Sequence, residues 1–166
     1  MKKIAVVMGS KSDLEIVEKC INILQEFQID FEVHILSAHR TPEEVKTLAT
    51  QAEQNDFGVI IAAAGKSAHL AGVIASLTTL PVIALPIKTS DLGGMDSLLS
   101  SVQMPSGIPV ACVAINGAEN AGLLAIEMLA IHDKTLSLKL KEKRQSNAEK
   151  ILKDNKEINL KYKKEQ

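Results

Sequence analysis

Two residue types with complementary chemistry stand side by side in Ser37-Ala38-His39-Arg40-Thr41-Pro42. An imidazole moves protons near neutral pH, and a guanidinium grips phosphate or carboxylate while staying charged. The segment follows the apolar run Phe31 to Leu36 and precedes a helical pattern. Thr41 is expected to cap that helix, Pro42 suits its first turn, and Glu44 completes a capping box. Capping accounts for Thr41 and Pro42 and leaves His39 and Arg40 without a structural task. The pair points to chemistry on a small anionic molecule.

Two further segments have comparable composition. Gly9-Ser10-Lys11-Ser12-Asp13 turns from an apolar run into a helix. Backbone N–H groups at such a helix start, with two hydroxyls beside them, form an anion site. Ser12 or Asp13 also suits a plain N-cap. Ala64 to Gly72 carries Gly65, Lys66, Ser67, His69 and Leu70, and its glycines let a ligand approach the backbone closely. His69 taken alone also fits a helix-start residue. Gly65-Lys66-Ser67 imitates the end of a P-loop, but that motif needs a glycine where Ile60 stands. No G-x-G-x-x-G follows the first apolar run, so a dinucleotide site is unsupported. His34 and His132 read as structural, and no His, Cys or carboxylate spacing suggests a metal.

Five apolar runs position these loops: Ile4–Met8, Phe31–Leu36, Val59–Ala64, Pro81–Leu85 and Ile108–Ile115. Four are continuously apolar, as parallel strands covered on both faces should be. The second begins with alternation and belongs at an edge. Leu14, Val17, Ile21 and Leu24 share one face of a first helix, and Val45, Leu48, Ala49 and Ala52 one face of a second. A short third helix is expected over Leu70–Leu77. A fourth, Ala121–Ile131, is apolar nearly all round and is expected to be deeply buried. The alternation predicts a three-layer, flavodoxin-like, doubly wound α/β sheet in the order 2-1-3-4-5. Its crevice lies between the carboxyl ends of strands one and three, where the three loops meet. The long connection from Ile87 to Gly107 is expected to hold one short helix, Asp96–Val102, with Gln103-Met104-Pro105 over the crevice.

The 166 residues suit one α/β domain, residues 1–132, followed by a basic helical tail, 133–166. The tail has eleven Lys and Arg against six Asp and Glu, and the whole chain nets -1. Leu136, Leu140, Asn147, Ile151, Ile158 and Tyr162 form a narrow stripe, read either as a solvated helix or as one that docks on a neighbouring subunit. Acids interleave with the bases, which disfavours a nucleic-acid tail. Three Phe, one Tyr and no Trp leave little to stack on bases or on a flavin. Cys20 and Cys112 read as buried reduced thiols. No signal peptide or membrane span is visible, so a cytoplasmic protein is expected.

Taken together, the segments resemble the PurE family of purine biosynthesis. The matching parts are Gly-Ser-Lys-Ser-Asp at 9–13, Ser-Ala-His-Arg-Thr-Pro at 37–42, Ala-His-Leu at 68–70, Met-Asp-Ser-Leu-Leu-Ser at 95–100 and Val-Gln-Met-Pro at 102–105. Asn120-Ala121 also fits, and the likeness covers residues 3–132. The Ala-His-Leu segment resembles the branch that isomerises N5-carboxyaminoimidazole ribonucleotide to its C4-carboxylated isomer. The other branch carboxylates aminoimidazole ribonucleotide with free carbon dioxide. The chain departs from the commonest mutase form at Lys66, Ser67 and Ala71, where glycine, alanine and proline are usual. The resemblance implies a nucleotide substrate held by Ser10, Asp13 and Arg40, with His39 moving the proton. Ser12 is expected to join them at the helix start, backbone groups around Gly65 and His69 to line a small closed pocket, and Ser37 and Leu70 to complete the substrate site. The resemblance also implies no cofactor and a homo-octamer with sites near subunit boundaries. The carboxylase and a non-catalytic flavodoxin-like module are the alternatives.

Overall fold

The computed structural model describes residues 2–163. Residue 1 and the end of the basic tail, 164–166, lie outside the described residues. The chain runs β1 (Lys3–Met8), α1 (Leu14–Glu26), β2 (Phe31–Ile35), α2 (Pro42–Gln51), β3 (Phe57–Gly65), α3 (Leu70–Ala75), β4 (Val82–Ile87), α4 (Met95–Val102), β5 (Ala111–Cys112), α5 (Ala118–Ala130) and α6 (Lys134–Lys161). A single 3-10 turn, Lys11–Asp13, leads into α1. All pairings are parallel and the order is β2-β1-β3-β4-β5, as the alternation predicts.

The sheet is buried on both faces because successive side chains point to opposite sides. Ile4, Val6, Met8, Ile61, Ala63, Ile83 and Leu85 join a core with residues of α1 and α5. Ala5, Val7, Ile60, Ala62, Val82 and Ala84 face the other way and pack with α2 and α3. Edge placement of β2 is visible in the exposure of Val33 and Ile35.

Several expectations need correction. The fifth run shrinks to two residues. Pro109 cannot donate to a ladder, and Asn116 at the exit takes a left-handed φ of 58°. The buried face of α1 is Val17, Cys20, Ile23 and Leu24, with Leu14 and Ile21 only half covered. Burial pushes the Cys20 thiol up to about 12; Cys112 is half-buried, and both are free thiols. Helix α5 is not sunk all round. Ala118, Ala121, Gly122, Ala125 and Ile126 are buried, Leu123, Leu124 and Met128 are half covered, and Ile131 is exposed. The stripe on α6 divides. Leu136 and Leu140 join the chain's own core, and Lys143 pairs with Glu26 at 2.7 Å. Ile151, Ile158 and Tyr162 are exposed. Asp133 starts this helix by accepting from the N–H groups of Thr135 and Leu136. Among the described residues no helix is long and apolar enough to cross a membrane.

The contact of α1 with α5 depends on Gly122. A Cβ there would meet the Cys20 carbonyl oxygen and the Ile23 Cβ, each at 3.2 Å. Gly122→Leu is expected to cost about 1–3 kcal/mol by overpacking. Chemical denaturation should show a lower midpoint, and an unchanged midpoint would mean that the two helices are loosely packed.

Candidate active site

The first loop is built by its own hydroxyls. The Ser10 Oγ accepts from the Ser12 N–H at 3.3 Å, and the Asp13 Oδ2 accepts from the Ser10 N–H at 3.1 Å. Asp13 stands at the N-cap position of α1 without a side-chain cap bond, while Ser10 caps the preceding 3-10 turn and closes a capping box with Asp13. This changes the expected anion site. The N–H groups of Gly9, Ser10, Ser12, Asp13 and Leu14 are engaged within the protein. The Ser12 hydroxyl also donates to Ser10 at 3.0 Å. The same hydroxyl lies 3.4 Å from Asp13 Oδ1, so its one proton serves either neighbour.

In the second loop Thr41 occupies the N-cap position of α2, but its side chain makes no cap bond to the helix. Its hydroxyl accepts from the Ser37 N–H at 2.9 Å and reaches the Ser37 carbonyl at 3.2 Å, closing the turn on itself. No capping box with Glu44 forms; Pro42 does occupy the first turn. The Ser37 Oγ accepts from the Arg40 N–H and from Arg40 Nε, both at 3.3 Å. The other end of the guanidinium donates to the Gly9 carbonyl at 2.6 Å. Arg40 therefore joins the first loop to the second and keeps further N–H groups for a ligand.

The third loop brings His69 to the second. His39 Nε2 and His69 Nδ1 are 2.9 Å apart, with ring centroids 5.0 Å apart and planes at 79°. Gly65 lets Thr89 pack closely, since a Cβ there would lie 2.7 Å from Thr89 Cγ2. Leu70 is buried yet reaches the cleft wall. The three loops enclose a cleft of ≈ 750 Å³ lined by the nine expected catalytic and binding residues: Ser10, Ser12, Asp13, Ser37, His39, Arg40, Gly65, His69 and Leu70. A larger cavity of ≈ 860 Å³ opens at the amino ends of β4 and β5. Glu53 is its one ionisable lining residue, and none of the expected site residues reaches it.

Lys66, named in the third loop but given no role, also lines the cleft, and so does Thr89, which lies outside the three loops. Thr89 follows the carboxyl end of β4, where a switch-point cleft draws its residues, and its Oγ1 is buried without a partner. Gln103-Met104-Pro105 does not line the cleft. Met104 instead packs against Gly72 of α3, where a Cβ would meet its sulfur at 3.2 Å. The short helix of that connection begins one residue early, at Met95. Among the described residues, no three His, Cys, Asp or Glu side chains converge as metal ligands would.

This is the layout of an α/β enzyme that handles a small anionic molecule at a topological switch point. The protein-family model described as AIR carboxylase matches residues 3–150, running past His132 into α6. The chain belongs to that family. It is 55% identical over 142 residues to the N5-carboxyaminoimidazole ribonucleotide mutase of Saccharolobus solfataricus, covering 86% of this chain and 90% of that one. It is 51% identical over 145 residues to the Pyrococcus abyssi protein of the same name, covering 87% and 83%. The crystal structure of Treponema denticola PurE superposes with a TM-score of 0.85 at 33% identity, covering 97% of this chain and 98% of that one.

Asp13 is the buried acid of the cleft, 8% exposed. Burial raises its carboxyl above the ordinary value near 3.8, while the Ser10 N–H, the Ser12 hydroxyl and Arg40 pull it down less strongly. The folded chain then holds this proton more tightly than the unfolded chain. Stability therefore falls as pH rises from about 3.8 through the raised value. Asp13→Asn removes that loss. Thermal unfolding should find the variant gaining on the parent as pH rises from about 4 to about 7. A constant difference across that range would contradict the assignment.

Proposed function

We propose that this chain isomerises N5-carboxyaminoimidazole ribonucleotide to 4-carboxyaminoimidazole ribonucleotide in purine biosynthesis. The observation that carries the reading is His39, set against a second imidazole and beside Arg40 in the cleft at the switch point. The reaction must break a carbon–nitrogen bond, hold carbon dioxide, and form a carbon–carbon bond. His39 gives a proton to the nitrogen as carbon dioxide departs. The ring carbon then attacks carbon dioxide, and His39 takes the proton that this carbon sheds. One proton leaves the imidazole and one returns, so no net acid or base is consumed.

The other residues bind. The Ser10 and Ser12 hydroxyls and the spare N–H groups of Arg40 suit the phosphate. Asp13, already stripped of much of its water, accepts from ribose hydroxyls. Ser37 holds the guanidinium in place, and Gly65, His69 and Leu70 form the wall around the reacting carboxylate. No cofactor enters the scheme. His39→Asn is expected to fold normally and lose about 100- to 10,000-fold in kcat. A variant within a few-fold of the parent would exclude His39 as the proton carrier.

The family's own description favours one second reading, carboxylation of aminoimidazole ribonucleotide with free carbon dioxide. The two differ in the origin of the new carboxyl carbon. N5-carboxyaminoimidazole ribonucleotide is supplied in buffer containing labelled bicarbonate, without ATP, beside an enzyme-free control. Early product should carry little label. Product labelled to the level of the buffer would assign the chain to the carboxylase.

A homo-octamer accompanies this reading. His39, Arg40 and His69 are exposed in the single chain, whereas retention of carbon dioxide requires a closed, dry pocket. Leu92, Met95, Leu99 and Val102 near α4, and Ile151, Leu152, Ile158 and Leu160 on α6, are exposed apolar side chains that neighbours would cover. Residues 133–166 then act as a docking arm with its base fixed by Leu136 and Leu140. Two unpaired thiols agree with a cytoplasmic location. Light scattering should show an octamer that loses subunits on truncation after Asn147. A fully active monomer would remove the assembly.

A further inference from the structure

Lys66 sits in the cleft wall with a backbone that disfavours it. Its φ of 55° is left-handed, a conformation that glycine adopts freely and lysine only with strain. Packing gives nothing back, since the side chain is 69% exposed. Its ammonium lies 2.7 Å from the Asp91 Oδ2 in the connection between β4 and α4. Asp91 is itself 52% exposed, and ion pairs this wet add little to stability. The strained backbone and the ordered side chain therefore have no structural return. Their placement is informative: Lys66 lines the cleft with His39 and Arg40, whereas Asp91 does not.

We propose that Lys66 is a substrate-binding residue of this chain, its ammonium held in waiting by Asp91 and handed to an anionic group of the nucleotide. The proposal rests on the nucleotide-mutase reading. A weak, exposed pair is what such an exchange needs, because the cation is kept near the cleft without being tightly held. Inside the cleft a phosphate or carboxylate oxygen is better shielded than the Asp91 carboxylate, so the charge-assisted bond there is stronger. No proton moves; the lysine stays cationic and changes partner. The substrate offers two such groups, and the test separates them.

Calorimetric binding of 4-carboxyaminoimidazole ribonucleotide, which carries both anions, is compared with that of aminoimidazole ribonucleotide, which carries the phosphate alone. Lys66→Gly should weaken the carboxylated ligand by about threefold to tenfold. Its melting temperature should hold or rise, because glycine relieves the left-handed backbone. Weakening of both ligands places Lys66 on the phosphate, and weakening of the carboxylated ligand alone places it on the carboxylate. Asp91→Asn should act in the opposite direction, tightening binding because Lys66 is released. That gain should vanish in the Lys66→Gly background, as partner exchange requires. If Lys66→Gly and Asp91→Asn weaken binding alike, or if neither ligand responds to Lys66→Gly, the proposal is overturned. Turnover is measured separately: a parent chain that binds in this pattern but does not isomerise its substrate refutes the mutase reading and leaves Lys66 in place.

Discussion

The double parallel pairing of β1 organises everything above the sheet. Met8 stands opposite Ile35 of β2 and Ala63 of β3, so three strands end near one level and release three connections side by side. Those connections diverge. The first leads to α1 on one face of the sheet, and the second and third lead to α2 and α3 on the other. A gap must open where the chain parts, and it is walled by the residues just beyond each strand. Arg40 then spans this gap from Ser37 to the Gly9 carbonyl. The rigid sheet fixes where the loops begin, and the guanidinium fixes how far apart two of them stand.

Most of this layout was legible because burial on two faces forces continuous apolar runs, and a strand at the edge betrays itself by alternation. What failed to show did so for specific reasons. Thr41 has a capping residue's identity, but its hydroxyl found a nearer partner in Ser37, four residues back. Ser10 took the capping role because the chain enters α1 through a 3-10 turn, which moves the cap back from the helix proper. The last strand was overestimated because apolar runs mark burial, whereas ladder pairing also needs a donor that Pro109 lacks. Nothing in the pattern could place His69 against His39. The two lie thirty residues apart, and their contact depends on loop conformations that carry no period. Lys66 stands where the family usually has glycine, which agrees with its left-handed φ of 55°, but residue type shows nothing of its reach to Asp91.

The polar balance of the cleft follows from the same geometry. Its cations, Arg40 and Lys66, project from loop tips and stay exposed, where hydration keeps them charged at little cost. Its lining acid, Asp13, is drawn inward by the capping box and loses water that only the Ser10 N–H, Ser12 and Arg40 partly replace. The arrangement favours a ligand that is anionic at one end and rich in hydroxyl donors at another. A phosphorylated ribose has that polarity. An isoalloxazine ring would find no aromatic face among the lining residues except the two imidazoles.

The paired imidazoles also constrain the proton transfer proposed for His39. At 2.9 Å, the line between His39 Nε2 and His69 Nδ1 has room for one proton only. Two neutral rings satisfy this when one nitrogen donates and the other accepts. A cationic His39 satisfies it only if the facing nitrogen of His69 is bare. In the single chain the Nε2 of His39 is therefore occupied by its neighbour. A ligand that takes its proton from Nε2 must part the two rings, and a ligand that uses Nδ1 leaves them joined. In the first case binding has to break a hydrogen bond before chemistry can start, which couples arrival of the nucleotide to release of the acid. In the second the pair persists, and His69 sets the tautomer by which Nδ1 works. On the role proposed for His39, either route makes His69 part of the proton path's geometry, through the contact between the second and third loops.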